Sequence, residues 1–368
     1  MKNHCALPFQ HMLIHTNGNY NVCCAHEVPL RDQRNIQFAA PQEWRQGRYM
    51  QTVRATFEAN DRHPGCGACW QREDQGFESM RQRTAREYEI TGRDVDLANI
   101  EINLGNLCNL RCLMCREEDS SAILAENQRL GIARFDQAAF DWNDDAMQHL
   151  RDLIGSQPRV INFIGGEPLY NRRMHTMIDE IPEEQARRTM LHITTNATTW
   201  NPSWEKSLSR FGSVRFMMSV DAVGDLYEYM RFPAKWDQVS RNILTMRELP
   251  RSQAMLHCTV QNLNVGSLMP LVEWAEQHEL YLQVHLLTEP GWLHITNLPD
   301  SEVSSVLESL QMLIQRNATA PHLRDFAQTC YDLLFARAFD PELWQLFRDR
   351  VTQRDQVRDN SYRDFLPE

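Results

Sequence analysis

Between about residues 95 and 290, short apolar runs alternate with amphipathic stretches, and this constrains the fold more than any other feature of the chain. Runs at 99–104, 159–164, 189–194, 213–220, 255–261 and 281–287 read as strands. Stretches between them, such as 144–154, 236–248 and 267–277, read as helices. Strand then helix, repeated around six strands, predicts a parallel α/β architecture. Periodicity does not separate a flat doubly wound sheet from a barrel. The connection from Cys115 to Asp144 is long enough to hold an insertion or lid. From about residue 296 the pattern turns helical, with Leu307, Leu310, Leu313 and Ile314 at helical spacing.

The cysteines narrow the chemistry. There are ten in 368 residues, and eight of them fall before residue 116. No run of about 18 apolar residues and no basic-then-apolar N-terminus is visible. The expected compartment is therefore the cytoplasm, with no membrane partner, and there clumped cysteines point to metal or cluster ligation rather than disulfides. The net charge of −11 argues against nucleic acid as a partner, because counterion release needs clustered Lys and Arg.

Directly after the first strand run comes Cys108-Asn109-Leu110-Arg111-Cys112-Leu113-Met114-Cys115, a C-x3-C-x2-C spacing. Three thiolates on one loop can hold three irons of a cubane cluster and leave the fourth iron open, whereas a closed structural zinc site wants four protein ligands. The next strand run ends in Gly165-Gly166-Glu167-Pro168. Paired glycines at a strand's C-terminal end let the backbone approach a ligand, and in parallel α/β folds ligands bind at that edge.

These two motifs, in this order, resemble the radical S-adenosylmethionine (radical SAM) superfamily over roughly residues 98–290. The resemblance implies a partial (β/α)6 TIM-like barrel. It assigns Cys108, Cys112 and Cys115 to a [4Fe–4S] cluster whose open iron binds SAM. It places Gly165, Gly166, Glu167 and Pro168 at the SAM amino group and Met114, where an aromatic residue is frequent, near the adenine. Further SAM contacts are expected at strand ends: Thr195 and Asn196 after the third, Ser219 and Asp221 after the fourth, and Gln261 after the fifth. Arg231, in Tyr229-Met230-Arg231, is expected to pair with the SAM carboxylate. Capping of helices and turns is the plainer role for these polar residues.

A second set of cysteines lies upstream. Asn17-Gly18 between apolar runs signals a hairpin, and Cys5 and Cys23 flank it as C-x12-G-x4-C. Cys66 and Cys69 follow as C-x2-C after a helix expected over 41–58. Two ligands from a hairpin and two from a turn can surround zinc or an iron–sulfur cluster. The spacing resembles the SPASM/twitch domains of radical SAM enzymes, in the short twitch form, which implies a second, auxiliary [4Fe–4S] cluster. Such domains usually follow the barrel, and here the pattern precedes it. Cys24 adjoins Cys23, and neighbours in a strand face opposite sides, so one of the two is the ligand; the glycine spacing favours Cys23.

The expected organisation is thus an auxiliary-cluster domain over 1–92, the barrel over 93–295 and a helical extension over 296–368. The resemblance implies reductive cleavage of SAM to a 5′-deoxyadenosyl radical and hydrogen abstraction from a substrate. A flavodoxin- or ferredoxin-type reductant is implied as partner. Two substrates are carried: a ribosomal peptide, ranked first, or a small metabolite such as a sugar or nucleotide derivative. A non-catalytic metal-binding or electron-transfer module is the reading from another class. His4, His11, His15 and His26 crowd the N-terminal zone as surface or supporting residues. Glu101 is a candidate for the cavity, Trp292 for its rim, and Cys258 and Cys330 read as core.

Overall fold

The computed structural model describes residues 3–87, 97–316 and 318–366. Its centre is one eight-stranded sheet. The strands are β1 (His11–Ile14), β2 (Tyr20–Asn21), β3 (Asn99–Asn103), β4 (Val160–Ile164), β5 (Met190–Thr195), β6 (Ser213–Ser219), β7 (Ser252–Val260) and β8 (Tyr281–Leu286). Their order in the sheet is β2-β1-β3-β4-β5-β6-β7-β8. From β3 to β8 each strand lies parallel to the one before it. Helices such as Asp144–Gly155, Trp236–Arg247 and Leu268–Gln277 make the crossovers. These are the six expected strands, each within three residues of its expected start, and they form the mixed α/β, partial TIM-like barrel architecture.

Burial alternates strictly along β3 to β6. Ile100, Ile102, Ile161, Phe163, Leu191, Ile193, Val214, Phe216 and Met218 are at most 1% exposed, because they face the helical layer. Their neighbours Asn99, Glu101, Asn162, His192, Thr194, Arg215 and Met217 are half-buried and face the lumen. A period of two with only one side sealed means that the outer side is the core and the lumen stays accessible.

The N-terminal hairpin forms as expected, with Gly18 at φ +86° between β1 and β2. It also extends the sheet, because β1 pairs in parallel with β3, His11 opposite Asn99 and Leu13 opposite Glu101. The barrel sheet therefore continues into the upstream cysteine region. The boundary expected at 92/93 lies outside the described residues. The stretch expected as one helix over 41–58 is two, Pro41–Gln46 and Arg48–Glu58, divided at Gly47, whose φ/ψ of −64°/159° is extended. The last zone forms three helices, Asp300–Gln315, Pro321–Phe335 and Pro341–Arg358. Among the described residues, no helix is long and apolar enough to cross a membrane.

Candidate active site

The C-terminal edge of the sheet carries the first cysteine set. β3 ends at Asn103, and Gly105 at φ +65° turns the chain into the cysteine loop. Both ends of the loop are pinned by hydrogen bonds. Asn106 Nδ2 donates to the Glu117 carbonyl at 2.8 Å and Ser120 Oγ to the Leu110 carbonyl at 2.7 Å. Arg111 N donates to the Phe232 carbonyl at 2.7 Å and Leu113 N to the Met230 carbonyl at 2.9 Å. Cys112 is buried, and Cys108 and Cys115 are half-buried. Cys112 is held below the ordinary thiol range, foremost because Cys115 hydrogen-bonds it, with Arg231 and Arg358 also favouring its thiolate.

The glycine turn after β4 is clasped onto this loop. Glu167 N donates to the Leu107 carbonyl at 2.8 Å. Gly166 has φ +54°, and a Cβ there would stand 2.3 Å from the Leu107 carbonyl oxygen. Only glycine permits that approach. The Glu167 carboxylate is 1% exposed and accepts from Thr195 Oγ1 at 2.6 Å, Asn196 N at 2.6 Å and Leu169 N at 3.0 Å. Burial pushes it up to about 7 against these three donors. Thr195 and Asn196 therefore serve the glycine turn directly. Asn196 Nδ2 also donates to Asn109 Oδ1 within the cysteine loop at 3.0 Å.

Asp221 and Arg231 meet each other. Arg231 Nε donates to Asp221 Oδ2 at 2.7 Å, Nη1 lies 3.8 Å from Cys112 Sγ, and both residues are buried. Asp221 also accepts from Thr259 N at 2.9 Å, tying β6 to β7. Gln261 is fully buried with neither amide atom partnered. Tyr227 is fully buried with a free hydroxyl, and its charge environment includes Arg231 and Cys112. Nothing in the periodicity singled out Tyr227. Ser219 and Met114 are half-buried, Ser219 at the end of β6 and Met114 within the cysteine loop. Cys258 and Cys330 are fully buried core residues.

The donor chemistry fits the groups the motifs imply. A tetrahedral zinc with Zn–S near 2.3 Å needs sulfurs about 3.8 Å apart. The three thiols of the loop do not all lie within 4.8 Å of one another, although Cys112 and Cys115 are hydrogen-bonded. The orphaned amide of Gln261, buried at this edge, is the kind of unspent polar group that a polar ligand satisfies.

The second set also converges. Cys5, Cys23, Cys66 and Cys69 are each at most 9% exposed, whereas Cys24 is exposed with its Sγ 3.4 Å from Met80 Sδ. Burial pushes the Cys5 and Cys66 thiols up to about 12, and neighbouring thiols of the same set push in the same direction. No three of these four thiols all lie within 4.8 Å of one another. Among the described residues, the one set of three or more His, Cys, Asp or Glu ligand atoms all within 4.8 Å is His26, His63 and Cys66. His26 Nδ1 lies 3.3 Å from Cys66 Sγ and its Nε2 2.7 Å from the Tyr49 hydroxyl. His63 escaped the sequence reading, although it stands three residues before Cys66.

A cavity of about 630 Å³ joins the two regions, lined by His15, Asn21 and His26 on one side and Asn103, Ile164 and Gly165 on the other. That is within the range of small-ligand sites. Below it, Glu101 faces the lumen as expected, 3.8 Å from His11 Nε2. Trp292 packs near Phe347 and Arg354 of the last helix.

The chain is similar to several known proteins. GTP 3′,8-cyclase of Streptomyces coelicolor is 23% identical over 202 residues, covering 53% of this chain and 55% of that one. The chain thus spans about half the length of this curated relative. Among solved structures, Streptococcus suis SuiB bound to S-adenosylmethionine is similar at TM-score 0.39 and 15% identity, over 59% of this chain and 44% of that one. A TYW1 structure with a lysine–pyruvate adduct is similar at TM-score 0.37 and 12% identity, over 71% and 88%. Residues 102–273 match the Radical SAM superfamily, and they hold both the cysteine loop and the clasped glycine turn. The chain thus carries a radical SAM domain over residues 102–273.

Proposed function

We propose that the chain is a SAM-dependent radical enzyme, working on a substrate held in the barrel lumen under the cysteine loop. When bound at Cys108, Cys112 and Cys115, a [4Fe–4S] cluster with SAM supplies reductive SAM cleavage and a radical able to take hydrogen from an unactivated C–H bond. The observation that carries this reading is the clasp of Glu167 N on the Leu107 carbonyl. It holds the glycine turn, where a SAM amino group would bind, against the residue before Cys108. Glu167 keeps that turn shaped, Asp221 fixes Arg231 beside Cys112, and Gln261 offers an unspent amide. The buried surroundings exclude water from the reacting region.

Cys5, Cys23, Cys66 and Cys69 are read as ligands of an auxiliary [4Fe–4S] cluster. The twitch-like region 1–92, the barrel 93–295 and the helical extension 296–368 remain the working division of the chain. A flavodoxin- or ferredoxin-type protein is the proposed reductant, since such clusters work at the negative end of their range. For the substrate, the polar lumen described below favours a small metabolite, and the relative named for acting on GTP supports the same class. A peptide is the second reading, favoured by the cavity of about 630 Å³ that reaches the N-terminal hairpin.

The test is iron content after anaerobic reconstitution. About eight irons per chain are expected, from two four-iron clusters, and Cys112→Ala should retain half. Zinc in place of iron would sink the proposal.

A further inference from the structure

One layer of the lumen is polar across five adjacent strands. Glu101 of β3 is the Cα partner of Asn162, Asn162 of His192, His192 of Arg215, and Arg215 of Gln253. In-register neighbours in a sheet stand about 4.8 Å apart and point the same way. A closed TIM-like barrel fills such a layer with Val, Ile and Leu. Here it holds one carboxylate, two amides, an imidazole and a guanidinium, and four of the five are half-buried rather than sealed.

Beneath this layer, at the mouth opposite the cysteine loop, lies a cavity of about 380 Å³. Arg215 and His192 line it from the lumen and Arg159 and Arg188 from the strand starts, over an apolar wall that includes Val160 and Met190. The charge is unbalanced. Arg188 is paired with Glu184 at 2.7 Å. Arg215 meets only an amide, with Nε 3.0 Å from Gln253 Oε1. Neither Arg215 nor Arg159 has a carboxylate within 4.0 Å among the described residues. His192 stays neutral, pushed down to about 4 by burial and then by Arg215, and so adds a hydrogen bond rather than a charge. The carboxylate of the layer, Glu101, stands three strands from Arg215, on the far side, where a ligand's hydroxyl or amine would meet it.

We propose that this mouth holds the anionic group of the substrate, a phosphate or a carboxylate, on Arg215 and Arg159, with the rest of the molecule rising along the polar lumen. From Arg215 to Ser219 at the upper end of β6 is four residues, about 13 Å of strand. A small hydroxylated or aminated acid of about that length reaches from the guanidiniums to the glycine turn. The inference rests on the proposed radical SAM reading and gives it a substrate class.

The test is calorimetric titration of the reconstituted full chain, under anaerobic conditions, with inorganic pyrophosphate and separately with succinate. Saturable binding of one anion per chain is expected. Preference for pyrophosphate assigns a phosphate and preference for succinate a carboxylate. Arg215→Gln should weaken binding about tenfold, the loss of one charge-assisted contact, and Arg215→Lys should restore part of it. Arg159→Gln, on an exposed side chain whose loss does not threaten the fold, should weaken binding severalfold. Arg188→Gln should change it less than about twofold, because Glu184 already engages that cation. Binding of neither anion, or identical titrations for wild type, Arg215→Gln and Arg159→Gln, overturns the proposal. Iron content of Arg215→Gln should equal wild type, because Arg215 touches neither cysteine set. A chain that loads no iron yet binds the anion would therefore sink the enzyme reading alone.

Discussion

Arg231 Nε donates to Asp221 Oδ2 at 2.7 Å, and the pair is buried beside the cysteine loop, with Arg231 Nη1 3.8 Å from Cys112 Sγ. Burying two charges is tolerable only because each satisfies the other and Asp221 also takes the Thr259 amide. Arg231→Met leaves the Asp221 carboxylate buried and unpaired, and should cost about 3–5 kcal/mol in urea unfolding. Replacing both residues with apolar ones, Asp221→Leu with Arg231→Met, should recover much of that loss. A double variant as unstable as the sum of the singles would show that the pair is not coupled.

Gly166→Ala tests the clasp. A methyl group 2.3 Å from the Leu107 carbonyl, at φ +54°, must push the glycine turn off the cysteine loop. SAM affinity, measured anaerobically by equilibrium dialysis, should fall by more than about tenfold, with iron content kept. Gly67→Ala, with nothing within 4 Å of the added Cβ, is the control.

The sheet was legible in the sequence where one face alternates. Along β3 to β6 every second residue is apolar and sealed, so the strands could be read, whereas their barrel order followed only from the family resemblance. Strand β1 was not legible as a sheet partner, because His11, Met12, Leu13 and Ile14 are all buried and show no alternation. Its partner β3 begins 88 residues after it. The cysteine loop and glycine turn were legible because spacing is local. The meeting of Asp221 with Arg231 was not, since two polar residues ten apart in sequence look like two separate ligand contacts until the fold closes them on each other.

The last helix illustrates the same limit and makes a prediction. Glu126 receives Arg358 at 2.9 and 2.6 Å, with Arg354 at 3.5 Å and Arg111 at 3.6 Å. Arg354 Nη1 also reaches the Leu113 carbonyl of the cysteine loop at 3.4 Å. Glu126→Gln leaves three guanidiniums facing one another, and should cost about 3–5 kcal/mol by urea unfolding. Arg358→Met should cost less, because Arg354 and Arg111 remain on the carboxylate. The reverse order would contradict this account of the cluster.

Stability should depend on pH in the metal-free chain. Burial lowers His26, His192 and His257 to about 4, so their contribution is present above pH 6.5 and lost as pH falls through 4. Burial raises Glu167 to about 7, so its contribution is present below pH 4.5 and lost as pH rises through 7. Between pH 6.5 and 4.5, three histidines oppose one glutamate, so the unfolded chain binds about two protons more than the folded one, and His15, His63, His285 and His294, also lowered by burial, add in the same direction. Unfolding free energy should therefore fall by at least about 2.7 kcal/mol per pH unit on acidification. His257→Gln should flatten this limb and Glu167→Gln should steepen it, both read from thermal melts across that window.

The most direct measurement is 5′-deoxyadenosine production by the anaerobically reconstituted chain given SAM and dithionite. The account predicts 5′-deoxyadenosine from the wild type and none from Cys108→Ala, Cys112→Ala or Cys115→Ala, while Cys24→Ala behaves as wild type. A wild type that loads its iron fully and leaves SAM intact would contradict it.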